Sequence, residues 1–151
     1  MKKNIKKTGG FTLIEILIVI GIIAILAAIV LVAVNPARQF AKANDTQRSA
    51  NVNAILNAVG QYIIDQKGST STLPALTSTA QTISNSGYNV CALLVSTYIA
   101  ALPIDPKTGS YTDCTNYNTG YTIKIDAATQ RTITITAPAT EATTTLISVS
   151  R

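Results

Sequence analysis

The pattern of apolar and polar positions begins with an exceptionally long apolar run. Residues 11–34 contain only two polar residues, Thr12 and Glu15, and no charge follows Glu15 before Val34. At about 1.5 Å per residue, a helix of these 24 residues extends about 36 Å, which exceeds the ~30 Å hydrocarbon core of a bilayer. This length predicts a membrane-spanning helix rather than the buried core helix of a soluble protein.

A second helix with one apolar face is predicted over residues 35–67. Asn35 and Pro36 supply a favoured N-cap and a favoured first helical residue, so the helix kinks or restarts there. Lys67 and Gly68 supply a natural end. The apolar positions recur at steps of three and four; they are Val52, Ile55, Leu56, Val59, Tyr62 and Ile63. We expect this stripe to pack against a sheet rather than to form a binding groove.

The remaining residues predict a small sheet. Alternating segments at 121–126 and 130–137 indicate a hairpin, and 144–150 supplies a third strand. The apolar segment 89–101 is expected to be a short buried helix or strand, and the helix is favoured because the proline that follows would end it. The Ser- and Thr-rich segment 68–87 is expected to be a loop. The pattern therefore predicts an α+β fold.

Composition excludes several kinds of catalytic site. The chain has no histidine, which rules out Ser–His–Asp triads, Cys–His pairs and histidine-based zinc sites. It also lacks G-x-S-x-G, S-x-x-K and clustered acidic motifs. We therefore predict that the protein is not an enzyme.

The positive charge is concentrated at the N-terminus. Of twelve Lys and Arg residues, four lie within the first seven positions. The charge of the other eight is nearly balanced by seven Asp and Glu residues. A nucleic-acid-binding surface therefore has little support from net charge. The leading lysines favour residues 1–10 in the cytoplasm and residues 35–151 across the membrane. An ordinary signal peptide cut near Ala27 or Ala33 is the alternative, although its apolar region is usually about 7–15 residues.

Glu15 is the feature that a plain anchor does not explain. A carboxylate inside a spanning helix is costly unless it has a partner or stays close enough to the interface to be solvated. Residues 9–15 (GGFTLIE) follow a short basic leader, place an acid four residues after Phe11 and open the apolar run. This arrangement resembles the class III signal sequence of bacterial type IV prepilins and pseudopilins.

The resemblance implies a processing and assembly pathway. A prepilin peptidase would cut between Gly10 and Phe11 and then methylate the new Phe11 amine, while Lys6 and Lys7 hold the leader in the cytoplasm. Glu15 would pair with the Phe11 ammonium of a neighbouring subunit, because an unpaired charge in an apolar helix bundle is costly.

The same resemblance implies a type IV pilin-like organisation. Residues 1–10 are a removable leader, 11–34 a transmembrane and filament-core helix, 35–67 its amphipathic continuation, and 68–151 a globular head. The prepilin would span the inner membrane once, with its head outside the cytoplasm, and later join a cell-surface or periplasmic filament. A membrane-tethered or secreted binding protein that does not assemble is the alternative.

The implied partners are proteins and the membrane. They are the prepilin peptidase, identical or related pilin subunits and an inner-membrane assembly platform. Nucleic acid is a partner only if the filament takes up DNA. The head cations that would contact it are Lys107, Lys124, Arg131 and Arg151.

Two cysteines and two carboxylates remain. Cys91 and Cys114 are expected to form a disulfide on the exported side, similar to the disulfide-bounded loop of pilins, with two free thiols as the alternative.

Residues 102–106 resemble a segment of major pseudopilins that leads into a calcium-holding loop. Asp105 and Asp113 are the nearby carboxylates, too few for a cation that takes six to eight oxygens. No cofactor is expected, and calcium is the alternative.

Overall fold

The computed structural model describes residues 9–70, 73–129 and 131–151, so Lys6 and Lys7 lie outside the described residues. The chain divides into two compact units, Met1–Gln39 and Phe40–Arg151.

The first unit contains helix α1, Leu13–Val34. All 22 of its residues are exposed. The helix is long and apolar enough to cross a membrane. The spanning segment predicted from the apolar run therefore forms a helix, and none of its residues is buried within the described part of the chain.

The break after α1 lies at Asn35. This residue has a left-handed backbone with φ 45°, a conformation that asparagine tolerates better than most residues. Its side-chain oxygen accepts a hydrogen bond from the Arg38 amide at 3.3 Å, and helix α2, Pro36–Asp65, begins immediately after it. The restart predicted at this position is confirmed.

Helix α2 ends in two residues with positive φ. The Gly68 amide bonds to the Ile63 carbonyl at 2.8 Å, and the Lys67 amide bonds to the Ile64 carbonyl at 2.9 Å. This pair of bonds is a Schellman cap, which satisfies carbonyls that the helix itself leaves free.

The second unit is built on an antiparallel sheet of five strands. The strands are β1 (Gln81–Ser84), β2 (Ser110–Asp113), β3 (Asn116–Ile125), β4 (Ile133–Ala137) and β5 (Ile147–Ser150). The order is β1-β3-β4-β5, and β2 pairs with the beginning of β3. The predicted hairpin is confirmed as β3 and β4, and the predicted third strand as β5.

The core lies between α2 and one face of the sheet. In the hairpin, Ile123 pairs with Ile135 and Ile125 with Ile133, and all four side chains are buried. From α2, the buried stripe consists of Val52, Ile55, Leu56, Val59 and Tyr62, with Ile63 partly buried. The packing role predicted for the stripe and the α+β fold class are both confirmed.

Two predictions in the head are confirmed only in part. The helix expected over 89–101 is a single turn, α3 (Cys91–Leu94). The chain leaves it through an extended Val95 and a left-handed Ser96, whose amide bonds to the Ile99 carbonyl at 2.9 Å. The segment 68–87 is not wholly a loop, because β1 forms within it by pairing with β3.

Candidate processing and assembly site

The segment before α1 is exposed and lies outside the helix. Residues 9–12 are exposed and outside the helix, Phe11 is 85% exposed, and Thr12 has extended backbone angles of φ −79° and ψ 152°. A Cβ added at Gly9 or Gly10 would meet no atom within 4 Å. The Gly10–Phe11 bond is therefore open to an enzyme that binds an extended chain.

A reciprocal cap fixes where the helix begins. The Thr12 hydroxyl accepts the Glu15 amide at 3.3 Å, and the Glu15 carboxylate accepts both the Thr12 amide and the Thr12 hydroxyl at 2.7 Å. Such a capping box stabilises a helix start by about 1 kcal/mol. Thr12 was not among the predicted site residues, although the T-x-x-E pattern at 12–15 signals this cap in the sequence.

The cap gives the Glu15 carboxylate a partner within its own chain. Glu15 therefore costs less in the isolated subunit than an unpaired acid would. The pairing of Glu15 with a neighbour's Phe11 amine remains a prediction.

The disulfide joins two separate parts of the head. Cys91 at the start of α3 is bonded to Cys114 in the turn between β2 and β3, which confirms the predicted disulfide. Closing a loop of 23 positions stabilises the fold by about 3 kcal/mol in the chain-entropy treatment.

A buried arginine on α2 lies at the centre of a cluster of carboxylates. Arg48 on α2 is 0% exposed and contacts three carboxylates. Its distances are 2.9 Å to Asp45, 2.6 Å to Asp105 and 2.8 Å to Glu141. Burial alone would raise the pKa of Asp105, but the Arg48 hydrogen bonds and the Thr108 and Lys107 amides lower it to about 2.

The same cluster fastens the loop that precedes β5. Asp45 accepts the backbone amides of Glu141 at 3.1 Å, Ala142 at 2.8 Å and Thr143 at 3.2 Å. Lys107 adds an ion pair to Glu141 at the exposed edge. Only the three-residue spacing of Asp45 and Arg48 on one helix signalled this cluster in the sequence.

The carboxylates proposed for calcium are already bound by protein groups. Both oxygens of Asp105 accept hydrogen bonds from Arg48, and one also accepts the Lys107 and Thr108 amides. Asp113 accepts the Thr115 amide at 2.7 Å within its own turn. The described ranges contain no group of three or more metal-binding acids, cysteines or histidines. These residues do not fit a calcium site, because a guanidinium occupies the cation position beside Asp105.

The four cations proposed for DNA contact do not form one patch. Lys107 is paired with Glu141, and Lys124 lies on the solvent face of β3. Arg131 and Arg151 are together beside α2.

Comparison with known proteins defines the N-terminal segment first. Residues 5–31 match the prokaryotic N-terminal methylation motif, which confirms the resemblance to prepilins. The match includes the predicted site residues Lys6, Lys7, Gly10, Phe11 and Glu15.

A curated relative extends the similarity. Over 73 residues the chain is 45% identical to the type IV wide pilus major component PilA4 of Thermus thermophilus. The matched region is 48% of this chain and 54% of that protein, so the chain spans about half the length of this relative. No solved structure matches the chain.

Proposed function

We propose that this chain is a structural subunit of a type IV pilus or pseudopilus filament and not an enzyme. One observation carries the proposal: the methylation motif at residues 5–31 covers the start and most of a 22-residue apolar helix whose every residue is exposed. An exposed apolar surface of this length requires a membrane or neighbouring apolar helices to cover it. A filament core of packed helices supplies the second of these covers.

Processing comes first in the proposed pathway. The prepilin peptidase cuts the exposed Gly10–Phe11 bond on the cytoplasmic side and methylates the Phe11 amine, while Lys6 and Lys7 keep the leader inside. The capping box needs only Thr12 and Glu15, so it survives the cut. The mature α1 then begins at Leu13, two residues after the new N-terminus at Phe11.

Assembly follows from the membrane. An inner-membrane platform moves the subunit from the bilayer into a filament of identical or related subunits, at the cell surface or in the periplasm. In the filament, Glu15 pairs with the methylated ammonium of a neighbouring Phe11. This pair sets the stagger between subunits, because any other stagger leaves a charge unpaired in an apolar surrounding.

The experiment that tests this proposal compares two glycines. Gly10→Val places a branched side chain at the cleavage position, where the peptidase approaches the backbone closely. Gly9→Val makes the same change one residue earlier, and neither position has a neighbouring atom to clash with. We expect Gly10→Val to abolish cleavage and filaments, while Gly9→Val retains both.

Other results would contradict the proposal. Filaments formed by uncut Gly10→Val chains would separate assembly from processing. A wild-type chain that is secreted or tethered without ever entering a filament fraction would support the alternative of a binding protein.

A further inference from the structure

An apolar groove runs between the last two turns of α2 and the end of the hairpin. Its volume is about 220 Å³. Val59 and Gly60 form part of its lining, with Ile63 and Ile64 beside them, and Ile64 is 73% exposed. Few apolar side chains of the head are this exposed, so the groove is a candidate contact surface.

Two arginines border this groove. A Cβ on Gly60 would lie 3.4 Å from the Arg151 guanidinium, and two backbone hydrogen bonds with Ile133 hold Arg151 in place. Arg131 precedes β4 on the same side. Within the described ranges neither guanidinium has an ion-pair partner. A groove with apolar walls and two unpaired cations selects an occupant that carries a carboxylate beside an apolar surface.

The head presents one such carboxylate at its opposite end. Asp113 is the last, exposed residue of β2 at the turn into β3, near the half-buried Tyr111 and next to the disulfide-bonded Cys114. Strand β3 connects this turn to the groove, and its ten residues extend about 30 Å. Asp113 therefore does not reach Arg131 or Arg151 of its own chain.

The other head carboxylates either surround Arg48 or lie at the groove's own end. Asp45, Asp105 and Glu141 surround Arg48. Asp65 accepts the Tyr98 hydroxyl at 2.8 Å, and Asp126 caps the hairpin turn at the groove's own end. Asp113 also accepts hydrogen bonds within its own turn, all through Oδ1, so its exposed position at the end of β3 away from the groove is what distinguishes it.

We propose that the groove receives the Asp113 turn of a second copy of this chain. The two surfaces differ and lie at opposite ends of β3, so the contact is heterologous. A heterologous contact that does not close into a ring continues as an open helical array. This inference rests on the proposed filament function and assigns the head surfaces that hold adjacent subunits together.

Charge reversal tests the pairing. Asp113→Lys alone, and Arg131→Glu with Arg151→Glu, are each expected to lower the yield of sheared filaments about tenfold or more, as like charges meet at every contact. Combining all three substitutions restores the opposite charges and should recover most of the yield.

Matched controls exist within the same head. Asp126→Lys removes a turn cap of the same kind as Asp113→Lys, because Asp126 accepts the Thr129 amide at 2.7 Å as Asp113 accepts that of Thr115. Lys124→Glu reverses a cation on the solvent face of the sheet. Both controls should form filaments at near wild-type yield.

A substitution without charge provides a second test. Gly60→Leu fills the groove, and the nearest atom to its Cβ belongs to the flexible end of Arg151. We expect Gly60→Leu to lower filament yield, while cleavage at Gly10–Phe11 and the free energy of unfolding of the head stay as in the wild type. Gly60→Ala should leave filament yield near that of the wild type.

The outcomes separate this inference from the proposed function. Normal filaments from Asp113→Lys, or failure of the triple variant to recover, would overturn the pairing while wild-type filaments still supported the filament role. An absence of wild-type filaments would overturn both.

Discussion

The two units of the chain differ in where their stabilisation comes from. Helix α1 buries none of its 22 residues, whereas the head buries a continuous core and holds a fully enclosed arginine among three carboxylates. The head is therefore folded by its own contacts, and α1 depends on a surrounding that the chain does not supply. Substitutions in the two units should affect different measurements.

Tyrosine fluorescence can follow the head alone. All six tyrosines lie between residues 62 and 121, and the chain has no tryptophan. Unfolding of the full chain in detergent, followed by this signal, therefore reports the head without α1.

The largest effect is expected at Arg48. Arg48→Met removes the cation from three carboxylates and should lower the free energy of unfolding by about 3–5 kcal/mol. Urea unfolding followed by tyrosine fluorescence measures the change. Membrane retention should be unaffected, and a loss below about 1 kcal/mol would contradict the role given to this cluster.

The disulfide comes next. Replacing Cys91 and Cys114 together by alanine should lower the free energy of unfolding by about 3 kcal/mol, chiefly because the unfolded chain gains freedom. Thermal unfolding of the double variant, compared with the oxidised wild type, measures this, and the reduced wild type should unfold like the double variant. Equal stability of the oxidised and reduced wild type would contradict the prediction.

A smaller effect is expected from acid. The pKa of Asp105 is lowered to about 2 from an ordinary value of 3.8, so its charge stabilises the folded head fully above about pH 4. This stabilisation, about 2 kcal/mol, is lost as the pH falls through 2. Asp105→Asn should flatten the pH dependence of urea unfolding between these values, and an unchanged slope would rule out Asp105 as its source.

A substitution in the N-terminal unit should change filament assembly and leave the unfolding of the head unchanged. Glu15→Ala removes one half of the capping box, worth about 1 kcal/mol, and the proposed partner of the neighbouring Phe11 amine. Cleavage and head unfolding should match the wild type, whereas filament yield or subunit register should be reduced. Normal filaments from this variant would refute the charge pairing, and Glu15→Gln helps to separate charge from capping.

Features with a local period were predictable from the sequence, and features that depend on distant partners were not. The patterns that predicted helix α1, the stripe of α2 and the β3–β4 hairpin consist of apolar positions that are adjacent or recur every two to four residues. Such patterns can be read directly from the sequence. Strands β1 and β2 have only four residues each and form because β3 supplies their hydrogen bonds. The 89–101 segment is apolar without a clear period, which allowed a helix to be predicted where one turn forms.

The functional residues also fall into those that the sequence predicts and those that only the fold brings together. Residues 9–15 carry their chemistry in consecutive positions, so cleavage, methylation and assembly residues could be proposed from the sequence. Arg48 meets Asp105, which is 57 positions away, and sequence spacing does not predict such a meeting. Thr12 is the exception, since its capping pattern was local and was still overlooked.

Mass spectrometry of the N-terminal peptide from purified filaments tests the central claim most directly. Our account predicts a chain that begins at N-methylated Phe11 and keeps its apolar helix. A chain that begins near Asn35, or one that retains Met1, would contradict it.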